Sequence, residues 1–90
     1  MPRKERVIKV IDGDTLKTAS RKNPVRLANV NAPEKGQPGY ANAKSRLVNL
    51  VEGKEVIVNT VARDRYGRSV SRVYKNGKSV NKEMQRRLKK

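Results

Sequence analysis

The sequence predicts a mainly β fold, a five-stranded barrel that carries two helices. Two observations predict it. Short β-branched runs recur five times, each bounded by glycine, proline, asparagine or aspartate. The period changes to helical spacing only twice, once between the third and fourth of these runs and once near the end. At 90 residues the chain makes one domain with a single small core.

Residues 1–6 are charged and expected to be loose, leaving residues 7–90 as the folded unit, without linker or internal repeat. From Arg6 to Ile11 the run VIKVI reads as the first strand. Asp12-Gly13 stops it, a dipeptide suited to a two-residue hairpin with positive φ, and Asp14 to Thr18 returns as the second strand. Pro24 sits at the entry to a third strand over Val25 to Val30, where it wastes no ladder donor. APEKGQPG is a loop. Tyr40, Ala43, Leu47, Leu50 and Val51 then share one helical face, and Gly53 is a natural C-terminal stop. Lys54 to Val61 and Ser69 to Tyr74 supply the fourth and fifth strands. The turn ARDRYGR lies between them, and Asn76-Gly77 marks a further turn. Val80, Met84 and Leu88 at i, i+4 and i+8 predict a short C-terminal helix. Three strands, a helix, two strands and a terminal helix is the order of an OB-fold, a five-stranded Greek-key barrel with one helix between strands 3 and 4.

Charge limits the partners. With 23 Lys+Arg against 8 Asp+Glu, the formal charge of +15 points to a polyanion, and nucleic acid leads. No segment combines a basic face with bulky apolar anchors for a membrane surface, and no run approaches the roughly 20 apolar residues of a membrane span. No signal-like apolar run opens the sequence, so a cytoplasmic protein is expected. Neither Cys nor His occurs, which excludes disulfides, thiolate sites and the usual neutral-pH base. Chemistry here must use carboxylates, arginines, lysines, tyrosines, hydroxyls or a hard metal.

Three clusters carry such groups. Asp12-Gly13-Asp14-Thr15 is either a hairpin turn or a turn whose carboxylate faces inward as a hard-metal ligand. Arg26 and Glu34 are either a surface ion pair or a phosphate-gripping guanidinium beside a carboxylate that activates water. In Asp64-Arg65-Tyr66-Gly67-Arg68 the charges are either solvated, or Arg68 forks a phosphate while Arg65 and Tyr66 contact a neighbouring phosphate or base. Lys75-Asn76-Gly77-Lys78 is read as a structural turn.

Together VIDGDT (Val10 to Thr15), VRLANVNAPE (Val25 to Glu34), DRYGR (Asp64 to Arg68) and VYKNGKSVN (Val73 to Asn81) resemble the staphylococcal nuclease family, the thermonucleases. The resemblance runs from about Val7 to Leu88. It implies an OB-type barrel with a Ca²⁺-dependent phosphodiesterase site. In that site Asp14 would ligate the metal directly, Asn31 would stand at a usual carboxylate position, and Ala32 would offer its carbonyl. Asp12 would lie in the outer shell. Arg26 and Arg68 would grip the scissile phosphate, Glu34 would be the general base or position the attacking water, and Arg65 and Tyr66 would lie near a terminal phosphate. A dication and two arginines stabilise the charge that builds on the phosphoryl oxygens, so the reaction needs neither His nor Cys.

The sequence departs from the family at Asn31, which keeps an oxygen but not its charge, and at Ala32, which replaces a usual hydroxyl residue. Typical members also continue into a third helix with tyrosines at the nucleotide site. Here Arg86, Arg87, Lys89 and Lys90 stand at the chain's end and suit electrostatic contact with a backbone. The implied function is a divalent-metal-dependent nuclease of low sequence specificity on DNA or RNA, favouring single-stranded or locally melted substrate. A non-catalytic nucleic-acid-binding OB module is the alternative from another class, and a small basic ribonucleoprotein component has only composition behind it.

Overall fold

A computed structural model describes residues 4–88, with side chains for residues 4–86. Its elements are β1 (Lys4–Asp12), β2 (Thr15–Thr18), β3 (Val25–Leu27), α1 (Tyr40–Val51), β4 (Glu55–Arg63), β5 (Ser69–Lys75), β6 (Lys78–Ser79) and α2 (Val80–Leu88). The sheet order is β3-β2-β1-β4-β5-β6, and β3 also pairs with β5. That last pairing closes five strands into the ring expected of an OB-type barrel.

The closing seam is parallel, with Val25 opposite Ser69, Arg26 opposite Val70 and Leu27 opposite Ser71. The other strand pairs are antiparallel. Inward positions are filled by small branched residues, among them Val7, Val10, Leu16, Val25, Leu27, Val56 and Val73. Alternation accounts for Val25 with Leu27 and Val56 with Val58, since every second residue of a strand faces the core, while Val7 and Val10, three residues apart, both face it because the β1–β2 register shifts between them. From α1, Ala43, Leu47 and Val51 complete the core at helical spacing, and Met84 of α2 is fully buried. Gly53 follows α1 at φ 77, and Asn76 and Gly77 take φ 51 and 80, the geometry of a tight hairpin.

Asn81, at the start of α2, locks the seam. Its amide nitrogen donates to Ala28 O at 2.9 Å and Ser71 O at 3.0 Å, and its Oδ1 accepts from Val73 N at 2.8 Å. A buried polar side chain is stable here because its hydrogen bonds are made.

Four expectations need correction. Of the residues expected to be loose, Lys4, Glu5 and Arg6 lie in β1, opposite Ile57, Val56 and Glu55 of β4. Charge was a poor sign of looseness, because outward strand positions accept it and Glu5 is forked by Arg21 at 2.7 and 2.9 Å. Residues 1–3 lie outside the described residues, as do Lys89, Lys90 and the side chains of Arg87 and Leu88.

The first hairpin turns at Gly13-Asp14, with Asp12 paired to Thr15, and Gly13 does not take positive φ. Space demands the glycine instead: a Cβ there would stand 2.7 Å from the Ala43 Cβ and 2.8 Å from the Ala32 Cβ. β3 stops at Leu27 rather than Val30, because the chain turns through Asn29 at φ 60, a conformation asparagine tolerates. Finally, β4 runs on to Arg63 and β6 is an additional two-residue strand. No helix among the described residues is long and apolar enough to cross a membrane.

Candidate active site

One end of the barrel collects residues from four parts of the chain around a cleft of about 510 Å³. Its walls are Asp12, Asp14, Arg26, Asn31, Ala32, Pro33, Glu34, Lys35, Tyr66 and Arg68. Of the nine residues singled out in the sequence, only Arg65 is absent from this wall.

β1 delivers Asp12 at its last position and the hairpin turn delivers Asp14. The Asp14 carboxylate is well ordered by its neighbours. Oδ1 accepts from Thr15 Oγ1 at 2.9 Å, and Oδ2 accepts from Ala32 N at 3.3 Å and Arg26 Nη2 at 3.4 Å. Arg26 sits in the middle of β3, flanked by Thr15 and Val70 on the neighbouring strands. Its Nη2 also donates to Asn31 Oδ1 at 3.2 Å and its Nη1 to Leu27 O at 3.0 Å. One nitrogen of Arg26 thus bridges the two oxygens that the resemblance assigns to a metal. No Arg26–Glu34 ion pair forms among the described residues, so the bland surface-pair reading of those two residues fails.

Glu34 stands exposed on the loop into α1, and its carboxylate makes no hydrogen bond among the described residues. The backbone beneath it is held by Gln37. Glu34 N donates to Gln37 Oε1 at 2.8 Å, while Gln37 N donates to Glu34 O at 2.9 Å. The loop is therefore shaped even though the carboxylate is free.

On the opposite wall Asp64 organises the turn that carries Arg68. Its Oδ1 accepts from Tyr66 N at 3.0 Å and Arg68 N at 2.9 Å, and its Oδ2 accepts from Arg68 Nε at 2.5 Å. Partial burial opposes the charge of Asp64, yet these amides and the guanidinium hold its carboxyl below the usual range. With Nε engaged, both Nη groups of Arg68 make no hydrogen bond among the described residues. Tyr66 is 72% exposed, and Arg65 and Arg68 lie 5.6 and 5.5 Å from its ring centre. Arg65 thus packs on the tyrosine rather than lining the cleft.

Three further contributors were not singled out as site residues. Tyr40 was read only as part of the apolar face of α1, but its hydroxyl donates to Asp12 Oδ1 at 2.9 Å and Ile11 O at 3.3 Å. The hydrogen bond to Asp12, then burial, raises the Tyr40 phenol above its ordinary value. Lys35 lines the cleft, and Gln37 shapes the loop. A tyrosine directly after Pro-Gly at a helix start was the one signal available for Tyr40.

The donor set tests which metal fits. Its atoms are all oxygens, from Asp14, Asn31 and the Ala32 carbonyl, which suits a hard cation such as Ca²⁺. Among the described residues no three His, Cys, Asp or Glu side chains gather as a metal group, so the charge offered is low. By donor chemistry alone the set suits a hard cation, with one carboxylate charge from Asp14.

Comparison with known proteins places this arrangement. The model of the family described as "Staphylococcal nuclease homologue" matches residues 24–87. A protein named "Uncharacterized endonuclease" from Escherichia coli O157:H7 is 42% identical over 84 residues, covering 90% of this chain and 55% of that protein. A protein of the same name from Haemophilus influenzae is 40% identical over 82 residues, 88% of this chain and 46% of its own length. A "Micrococcal nuclease" from Shigella flexneri is 40% identical over 70 residues, 76% of this chain and 40% of the relative. The chain spans about half the length of the curated relatives it matches. On the extent of these matches, and with Arg26, Asn31, Glu34 and Arg68 all inside the matched stretch, the chain belongs to the staphylococcal nuclease family.

Proposed function

We propose that this chain carries a Ca²⁺-dependent phosphodiesterase site that cleaves DNA or RNA with low sequence specificity. The observation that supports it most is the joint presence of Arg26, Arg68, Asp14 and Glu34 around one cleft, delivered from separate elements. A protein that only bound nucleic acid would gain nothing from carboxylates facing phosphates.

In this reading Arg68 forks two phosphoryl oxygens through its free Nη groups, with Asp64 fixing its plane. Arg26 exchanges its contacts with Asp14 and Asn31 for the same phosphate. Glu34 takes a proton from the attacking water or orients it, and its exposed position leaves room for that water. Asp14, Asn31 and the Ala32 carbonyl would hold the cation, while Asp12, fixed by Tyr40, orients the shell around it. A bound dication supplies positive charge against the phosphoryl oxygens. A shallow cleft favours single-stranded or locally melted substrate, with Tyr66 offering an exposed ring to a base.

A second reading, binding without cleavage, is favoured by one observation: among the described residues no three acidic side chains gather for a metal. One assay separates the two. Single-stranded DNA, duplex DNA and RNA are incubated with the protein in Ca²⁺, Mg²⁺ or EDTA, beside Glu34→Gln and Arg68→Ala. Metal-dependent cleavage lost in both variants is expected. Tight, salt-sensitive binding with no cleavage at millimolar Ca²⁺ would leave the binding module as the function.

A further inference from the structure

The opposite end of β1, β4 and β5 gathers positive charge that the cleft does not use. There, the starts of β1 and β4 and the β5–β6 turn enclose a groove of about 550 Å³ whose walls include Lys4, Arg6, Lys54 and Lys75. Lys78 stands across the same turn, in an adjoining hollow that also includes Lys75. From Ser69 to Lys75 β5 advances roughly 20 Å, so groove and cleft are separate sites joined by one strand.

Two of these five cations make hydrogen bonds, and none is neutralised. Arg6 Nη1 donates to Gly53 O at 2.9 Å and Lys54 Nζ to Asn49 O at 3.1 Å, both carbonyls. None of the five makes an ion pair among the described residues. Glu55 is the one carboxylate in the groove wall and is itself unpaired there, while Glu83 of the adjoining hollow bonds Arg86. The nearby Lys54 ammonium first, then burial and the charge of Lys78, lower the Lys75 ammonium below the ordinary lysine value. Like charges brought this close destabilise the free protein and favour any anion that enters between them.

The groove also has an aromatic surface. Lys4, Ile57 and Tyr74 form one row across three strands, which sets the half-buried Tyr74 ring beside the basic side chains. Basic groups spaced along a groove with an aromatic between them match a sugar–phosphate backbone better than a single small anion.

We propose that this groove is a second nucleic-acid site, which holds the backbone of the same single strand that enters the cleft, several nucleotides further along. It rests on the reading that the cleft acts on nucleic acid. It adds a footprint: binding must depend on strand length, with the far part of the strand gripped by Lys4, Lys54, Lys75 and Lys78.

The test measures binding by fluorescence anisotropy in EDTA, where cleavage cannot interfere, using labelled single strands of about 4 and about 20 nucleotides. Lys54→Gln/Lys75→Gln keeps the aliphatic stems, and Lys4→Gln/Lys78→Gln provides an independent pair; unchanged thermal midpoints verify that both fold. Each pair is expected to weaken the long strand about tenfold and to flatten its salt slope by about 1.4, at about 0.7 for each phosphate that is no longer neutralised. The short strand should bind as in the parent. Equal losses on both lengths, or no loss on either, would overturn the proposal. So would loss of binding to phosphatidylserine vesicles while the long strand still binds as before. Cleavage in Ca²⁺ is scored separately, so a protein that binds by length yet cuts nothing would refute the nuclease reading and leave the groove standing.

Discussion

The hydroxyl of Tyr40 reaches Asp12 Oδ1 at 2.9 Å and so ties the first residue of α1 to the last residue of β1. The contact fixes one carboxylate of the cleft from behind, and the hydrogen bond to Asp12 raises the Tyr40 phenol above its ordinary value. Tyr40→Phe keeps the ring and removes only this bond. It is expected to weaken Ca²⁺ binding about tenfold, as loss of an outer-shell partner does, and to leave the affinity for oligonucleotide in EDTA unchanged. Isothermal titration with Ca²⁺ checks it, and equal affinities for both proteins would remove Asp12 from the metal shell.

Arg26 Nη2 stands between Asp14 and Asn31, so the free site is already partly neutralised by its own arginine. Asn31→Asp adds a charged ligand at that point. Ca²⁺ affinity is expected to rise about tenfold, since ligand charge is a main control on Ca²⁺ binding. An unchanged Ca²⁺ titration would show that position 31 does not touch the ion.

Gly13 lies against two alanines, with no room for a third methyl. Gly13→Ala is expected to destabilise the fold by about 1–3 kcal/mol through overpacking and to lower activity by displacing Asp14 and Ala32 together. Ala43→Gly should relieve the helix side of the clash. Recovery of the urea midpoint in the double variant, measured against each single one, is the decisive comparison.

Glu5 and Arg21 form a fork that joins β1 to the loop after β2. Burial disfavours the charged Glu5, but Arg21, Thr18 and Ser20 together hold its carboxyl below the ordinary glutamate value. A lowered folded-state value means that the unfolded chain binds the proton first on acidification. The stabilisation is therefore full above the ordinary glutamate range and is lost as pH falls through the folded value. Arg21 keeps 27% of its side chain exposed, so water screens the pair and its worth is on the order of 1 kcal/mol. Glu5→Gln should lower the urea midpoint at neutral pH and converge with the parent in acid. Parallel curves at all pH values would rule the fork out as a source of acid sensitivity.

What the sequence made legible was local. The helix over Tyr40–Val51 was readable because Ala43, Leu47 and Val51 repeat at its own period, and the turn at Asn76-Gly77 because its positive φ values suit few other residues. Most of the cleft was readable as motifs, since Asp14, Glu34 and Arg68 sit in or beside turns and Arg26 is the one charged residue of the short strand VRL. Less legible were features that depend on packing at a distance. Nothing near Gly13 in sequence announces Ala43, and nothing near Tyr40 announces Asp12, 28 residues earlier. Lys4 to Arg6 looked like a solvated tail because hydropathy cannot tell an outward strand face from a loose end.

The parallel seam has a consequence in time. Val25 and Ser69 are 44 residues apart, so pairing β3 with β5 closes a long loop, whereas the β1–β2 and β5–β6 hairpins form over a few residues. Long-range pairing is slow because chain entropy is lost before contacts repay it. Arg26 lies on one side of that seam and Arg68 precedes the first residue of the other, so the two guanidiniums meet only when the ring is sealed. A chain emerging from urea would regain its hairpins early and bring its two guanidiniums together last, so under the proposed function the recovery of cleavage would time barrel closure.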